Sequence, residues 1–260
     1  MTRTVRLAGT SLELVERGQG RPLLFLHAGE GLAPERPWLE LLSRHYRVIA
    51  PWHPGYGGSP LIDGGAGGIN DLAYLYLDLA KELSLEDAVL VGADLGGWIA
   101  AEMMVRSTAR FCCLVLVAPL GIKMRGRDER DIADFHAMTH TEYLRAAWAD
   151  PAKGEVDYAA LADSELEAIV RGREAFALYG WKPYMHNPHL KRWLHRINVP
   201  TLLLWGAQDG IVTPSYGEGW RRELSGARMD VIPAAGHFPH WEQPEEFVQR
   251  LAAFVDSRNA

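Results

Sequence analysis

A chain of 260 residues with 48% hydrophobic and 23% charged side chains holds enough apolar material for one large core, or for one core with an inserted lid. Its net charge of −6 offers no basic stripe to neutralise phosphates, which argues against a nucleic-acid partner. No apolar run is long enough to cross a membrane, and the segment Met1-Thr2-Arg3-Thr4-Val5-Arg6 lacks the apolar stretch of a secretion signal.

Thr4-Val5-Arg6-Leu7 and Leu12-Glu13-Leu14-Val15 flank Gly9-Thr10 and predict an antiparallel hairpin. Pro22-Leu23-Leu24-Phe25-Leu26 is continuously apolar, as a strand covered on both faces must be, and it runs into the Gly-rich loop His27-Ala28-Gly29-Glu30-Gly31. Trp38, Leu39, Leu41 and Leu42 have helical spacing. Tyr46-Arg47-Val48-Ile49-Ala50 is the next strand, and it ends in the turn-rich stretch from Pro51 to Ser59, which includes His53. The glycines of 64–68 predict a mobile loop. Leu72, Leu75, Leu79 and Leu83 then recur at helical spacing.

Val89-Leu90-Val91 reads as a buried strand, Gly92-Ala93-Asp94-Leu95-Gly96-Gly97 as a tight turn, and Ile99 to Val105 as a helix. Strand, tight turn and helix form the context of a nucleophile elbow, whose usual pattern is G-x-S-x-G. The central residue here is Asp94. Such a turn strains its central residue and needs small neighbours so that backbone can pass closely. Asp also suits an ordinary turn, but Gly92, Gly96, Gly97 and a later His237 favour the elbow.

Leu114-Val115-Leu116-Val117 is a further buried strand that Ala118-Pro119 stops. Cys112 and Cys113 are sequence neighbours, so on a strand they are expected to point to opposite faces and to remain unbridged, which suits a reducing cytoplasm. From 121 to 195 the texture changes to charge runs, histidines and aromatics without an apolar strand. It predicts a helical cap inserted into a core made of 1–120 and 196–260. Thr201 to Trp205 and Met229 to Ile232 resume the strand pattern, and Phe247, Leu251, Phe254 and Val255 give a closing amphipathic helix.

A hairpin followed by alternating apolar strands and helices implies a mostly parallel sheet wrapped by helices. Ligands of such sheets bind beyond the carboxyl ends of the strands. Four loops with unusual residues follow strands here: His27 to Gly31, Asp94 to Gly97, Gly206 to Asp209, and Ala234 to His240. Their convergence predicts the site.

Asp94, Asp209 and His237 follow the chain order nucleophile, acid, histidine. With the His27-Ala28-Gly29 loop, the Gly55-Tyr56-Gly57-Gly58-Ser59 turn, Trp205-Gly206-Ala207-Gln208-Asp209 and Gly236-His237, the sequence resembles the α/β-hydrolase superfamily over essentially its full length. The resemblance implies an eight-stranded, mostly parallel sheet with flanking helices and a helical cap. It implies a catalytic triad of Asp94, His237 and Asp209, and an oxyanion hole from backbone N–H groups of Leu95 and of Ala28 or Gly29. An Asp nucleophile resembles epoxide hydrolases and haloalkane dehalogenases. A carboxylate, already ionised near neutral pH, attacks carbon without a base, and His237 then activates water to hydrolyse the ester.

The departures are specific. Leu95 stands where haloalkane dehalogenases place a halide-binding Trp and where fluoroacetate-type dehalogenases place Arg. His27-Ala28-Gly29-Glu30 lacks the Pro of the epoxide hydrolase loop. Epoxide hydrolases use two cap tyrosines, and Tyr143, Tyr158, Tyr179 and Tyr184 are the candidates. The rest of the chain looks closer to Ser-type esterases and carbon–carbon bond hydrolases.

The expected function is hydrolysis of a small, largely apolar electrophile, epoxide before haloalkane. The alternatives are an esterase or carbon–carbon hydrolase scaffold with Asp in place of Ser, and a non-catalytic small-molecule-binding protein. Candidate pocket residues are His27, Trp148, Tyr179, Trp181, Tyr184 and Phe238, with His27 and His53 also open to roles in loop structure. Glu30 lies either in solvent or beside Asp94. No cofactor is expected, and His136, His140, His186, His189 and His195 have no metal-site spacing. The expected partner is a small substrate, away from nucleic acid and membrane, in the cytoplasm; the oligomeric state stays open.

Overall fold

A computed structural model describes residues 2–62, 67–126 and 128–257. Eight strands form one sheet in the order β1-β2-β4-β3-β5-β6-β7-β8. They are β1 (Thr2–Leu7), β2 (Thr10–Arg17), β3 (Pro22–Leu26), β4 (Arg47–Pro51), β5 (Ala88–Ala93), β6 (Phe111–Val117), β7 (Thr201–Gly206) and β8 (Arg228–Ile232). β1 and β2 pair antiparallel as the hairpin, β2 also runs antiparallel to β4, and every later pair is parallel.

Helices cover both faces: α1 (Pro37–Ser43), α2 (Ile69–Glu82), α3 (Leu95–Arg106), α4 (His140–Ala147), α5 (Asp163–Gly180), α6 (Pro214–Glu223), α7 (Pro239–Glu242) and α8 (Pro244–Asp256). The alternation along β5 divides the core. Leu90 packs into one apolar layer with residues of α2 and α3, while Val89 and Val91 pack into the other with residues of α1 and α8. Within 121–195 the described secondary structure is helical, comprising α4, α5 and short 3₁₀ turns, apart from one isolated bridge between Gly121 and His186.

The chain leaves β3 towards β4 on one side and returns to β5 on the other. The connection therefore reverses between β3 and β5, and the crevice beyond their carboxyl ends is where such sheets bind ligands. Leu26 pairs with Gly92, which brings the 27–31 loop against the Asp94 turn.

One expectation lies largely outside the described residues, one is overturned, and one helix has no counterpart in the sequence reading. The Gly-rich loop at 64–68 lies largely outside the described residues; of it only Gly67 and Gly68 are described, and Gly68 N donates to Asp71 Oδ2 at 2.8 Å. Cys112 and Cys113 are not bridged to each other, but they do not separate onto opposite faces. The register slips between Ala88 and Val89, so that Cys112 is an extra residue and both sulfurs enter the same layer, 3.7 Å apart. Helix α6 had no apolar stripe to announce it: glycines at 217 and 219 interrupt its face, and Tyr216 and Trp220 alone give it large buried side chains. Among the described residues, no helix is long and apolar enough to cross a membrane.

Candidate active site

Asp94 sits between the end of β5 and the first residue of α3, with φ of 50° and ψ of −113°. This conformation is costly for a residue with a side chain, and it lifts the carboxylate off the sheet edge into the crevice. The turn closes only because α3 approaches the end of β3 without an intervening side chain. A Cβ on Gly96 would collide with the carbonyl of Leu26. Gly96 N instead donates to His27 O at 3.1 Å, and Asp94 N to Val117 O at 2.9 Å, so neighbouring strands hold the turn.

The triad residues meet. His237 Nε2 lies 3.2 Å from Asp94 Oδ1, and His237 Nδ1 lies 2.9 Å from Asp209 Oδ2. All three side chains are buried. Asp209 is fixed through its other oxygen, which accepts from Ile211 N at 2.8 Å and Val212 N at 2.9 Å. The acid and histidine loops are joined by Gln208 N donating to Ala235 O, and both are tied to the end of α4. Gly210 N donates to Ala146 O, and His237 N to Ala147 O.

Both imidazole nitrogens face carboxylate oxygens, which can only accept, so the ring is assigned as an imidazolium. Burial alone would depress its pKa. The charge and hydrogen bond of Asp209, followed by those of Asp94, outweigh burial and push His237 up to about 10. Burial pushes the Asp209 carboxyl up as well, but the imidazolium and two backbone N–H groups favour its charged form, and we read the pair as ionic.

Asp94 Oδ2 accepts from Gly29 N at 2.8 Å. Of the two expected loop donors, Gly29 makes this contact; the carbonyl of Ala28 closes the loop by accepting from Gly31 N at 2.9 Å. Leu95 opens α3, so its N–H belongs to the unpaired set at a helix start. Gly29 has no room for a side chain, because a Cβ would enter the ring of Phe176.

A small cavity of about 10 Å³ touches Asp94 and His237 and is closed by Glu30, Tyr143, Phe176 and Phe238. Outside it lies an open chamber of about 440 Å³, walled by Trp52, Tyr56, Trp148, Tyr158, Arg173 and Trp241 among others. Arg36 lies over the rings of Trp148 and Trp241, and Arg173 Nη2 donates to Tyr158 OH at 2.7 Å.

The six pocket candidates scatter. Phe238 lines the triad cavity and Trp148 the outer chamber. His27 lines neither. Its ring is buried against His53, Nδ1 bonds Ala28 O at 2.7 Å, and Nε2 accepts from His53 N at 2.9 Å. It shapes the 27–31 loop, and burial followed by the nearby His53 holds its pKa well down. Tyr179 spends its O–H on Pro54 O at 2.9 Å. Trp181, 66% exposed, and Tyr184 line a separate cleft of about 380 Å³ beside Lys123 and Asp131. Aromatic character within 121–195 does not say which side chains the path of the chain turns towards the triad. Tyr143 and Glu30, named in the sequence only as candidates, are the side chains brought to the cavity. No trio of His, Cys, Asp or Glu among the described residues is grouped to hold a metal.

A carboxylate on a strained strand–helix turn, with a histidine behind it and a buried acid beyond, has the arrangement of a nucleophile elbow and its partners. The family model of the alpha/beta hydrolases matches residues 23–250, and the chain belongs to that family. The chain is similar to 3-oxoadipate enol-lactonase 1 of Acinetobacter baylyi, 26% identical over 85% of this chain and 83% of the relative. It is also similar to the pimeloyl-[acyl-carrier protein] methyl ester esterase of Photobacterium profundum, 29% identical over 95% of this chain and 99% of the relative. Among solved structures, a serine hydrolase from the polyaromatic-hydrocarbon-degrading bacterium Cycloclasticus zankles superposes with a TM-score of 0.82 at 17% identity, covering 99% of this chain and 98% of that one.

Proposed function

We propose that this chain hydrolyses a small, largely apolar electrophile through a covalent ester on Asp94, with an epoxide preferred to a haloalkane. The reading rests chiefly on how the two oxygens of Asp94 are held. Oδ1 faces His237 and the cavity, while Oδ2 is bound by Gly29 N, the donor an oxyanion hole requires. Oδ1 attacks carbon and the leaving oxygen takes a proton. Oδ2 then becomes the carbonyl oxygen of the new ester, already seated in the hole. Water deprotonated by His237 adds to the ester carbon, negative charge develops on Oδ2, and Gly29 N with the helix start at Leu95 stabilises it.

Esterification also switches the base on. While Asp94 is anionic it helps keep His237 protonated; as an ester it carries no charge, so the imidazole loses that support and sheds its proton, which by way of solvent replaces the one Tyr143 gave to the leaving oxygen and leaves His237 neutral to deprotonate water. Asp209 holds the ring orientation throughout. Tyr143, the phenol on the cavity wall, supplies the proton to a departing oxygen. That O–H suits an epoxide better than a halide, and Leu95 leaves the halide-binding Trp position unfilled.

A second reading is favoured by the relatives, which are named as a lactonase and a methyl ester esterase. In it the scaffold is that of a Ser-type hydrolase whose nucleophile position carries Asp, with ester hydrolysis lost or altered.

Intact-protein mass spectrometry of the His237→Gln variant separates the two. With styrene oxide or 1-chlorobutane, a stable adduct on the peptide containing Asp94 supports the covalent reading, because the first step needs no base and the second does. No adduct with either class, beside strong ester hydrolysis by Asp94→Ser, overturns it in favour of the second.

A further inference from the structure

The space of about 10 Å³ beside Asp94 has room for about one water molecule, whereas the outer chamber of about 440 Å³ has room for an organic substrate. Among the described residues, Glu30 and Tyr143 alone line both. They come from opposite sides, Glu30 from the loop after β3 and Tyr143 from α4, and Tyr143 OH donates to Glu30 Oε1 at 2.7 Å. The hydrogen bond joins the two side chains that the chamber and the nucleophile cavity share. Below it the cavity wall is apolar apart from the triad itself, with Phe135, Phe176, Ile211 and Phe238. A molecule that passes from the chamber to Asp94 across this shared wall has to part the pair and cover Glu30, which is exposed in its absence.

We infer that Glu30 and Tyr143 form a polar gate that determines specificity: the productive substrate carries, next to its reacting carbon, a hydroxyl or similar group that donates to Glu30 while its leaving oxygen accepts from Tyr143. The inference rests on the proposed chemistry for the second contact only. A substrate without the donor leaves a carboxylate covered and unpaired, which is more costly than the loss of an ordinary hydrogen bond. The apolar remainder fits the aromatic walls of Trp52, Trp148 and Trp241. The gate also accounts for a carboxylate placed on the loop that supplies the oxyanion donor, a position where negative charge near the developing oxyanion has no catalytic value.

The test compares styrene oxide with 3-phenylglycidol, which adds a hydroxymethyl group beside the epoxide. Rates of adduct formation on Asp94 are read by intact mass in the His237→Gln background, with and without Glu30→Ala or Glu30→Gln. The ratio favouring 3-phenylglycidol is expected to fall about tenfold or more with Glu30→Ala. With Glu30→Gln, which keeps an acceptor, it is expected to fall less. A ratio that Glu30→Ala does not move overturns the gate and leaves Asp94 as nucleophile. No adduct from either probe counts against the nucleophile instead. The gate is then read in Asp94→Ser from p-nitrophenyl mandelate against p-nitrophenyl phenylacetate, where a ratio unmoved by Glu30→Ala overturns it and an approximately tenfold fall upholds it.

Discussion

Asp94 Oδ1 lies 3.2 Å from Nε2 of His237, and we assign the imidazole the proton because both of its nitrogens face carboxylate oxygens. A serine there would receive a base; an aspartate meets a cation. The expected outcome is a His237 imidazolium that persists through neutral pH and titrates near 10. Nitrogen-15 NMR of the labelled ring measures it. Asp94→Asn removes one of the two charges that support the cation and is expected to lower the pKa by about one unit or more. A neutral ring at pH 7.5 in the parent protein is the contrary result.

The same pair makes stability depend on alkaline pH. The folded pKa of His237, about 10, lies above the ordinary value of about 6.5 that applies in the unfolded chain. The contribution is therefore fully present below pH ~6.5 and is lost as pH rises through the folded pKa. Urea unfolding at pH 6 and pH 10.5, in the parent and in His237→Gln, isolates this term. The parent is expected to lose more stability than the variant between the two pH values. Equal losses would mean that the ring is not charged in the fold.

Glu242 on α7 is a buried carboxylate outside the reaction. Oε1 accepts from Gly236 N at 2.6 Å, next to His237, and Oε2 from Ala149 N at 2.8 Å, just beyond α4. It clamps the histidine loop to the segment that carries Tyr143. Glu242→Ala leaves both N–H groups unpaired and is expected to destabilise the protein by about 2–4 kcal/mol. Thermal unfolding reads that loss. The more specific readout is the His237 titration, which is expected to shift in Glu242→Ala as the loop relaxes and to recover partly in Glu242→Gln. A shift in unfolding alone would reduce Glu242 to a packing role.

The inner strands were legible because strands covered on both faces are written as unbroken apolar runs such as Val89-Leu90-Val91, while the hairpin β1–β2 showed through its turn and the edge strand β8 through a short mixed run. The triad was legible because each member follows its own strand, and strand ends on one sheet edge converge whatever the helices do. The linings were not legible in the same way. His27 looks like a pocket residue in its motif, yet its ring is turned into a buried stack with His53, a contact between two loops 26 residues apart. Trp181 and Tyr184 share their segment with Tyr143, but the path of the chain sends them to a different cleft. The bulge at Cys112 breaks a strand alternation that nothing in the local sequence contradicts.

Asp94→Ser tests how much of an ester-hydrolysing site survives around the carboxylate. Two consequences follow from the geometry together. Gly29 N, which now holds Asp94 Oδ2, is released to bind the carbonyl oxygen of an incoming ester. His237 loses one of its two carboxylate neighbours and keeps Asp209, so its pKa falls and it becomes able to take the serine proton. Both changes act in the same direction, and the variant is expected to hydrolyse p-nitrophenyl acetate, a small probe that asks least of the Glu30–Tyr143 gate, at least about 100-fold faster than the parent. The rate should rise with pH through the lowered His237 pKa, measured independently by NMR on the same variant. A rate rise that tracks this titration establishes that the hole and the His237–Asp209 pair are competent. No gain in rate, with His237 shown to be neutral and hydrogen-bonded to Asp209, would mean that Gly29 and Leu95 do not form a working oxyanion hole, and the covalent mechanism proposed for Asp94 would lose its second step.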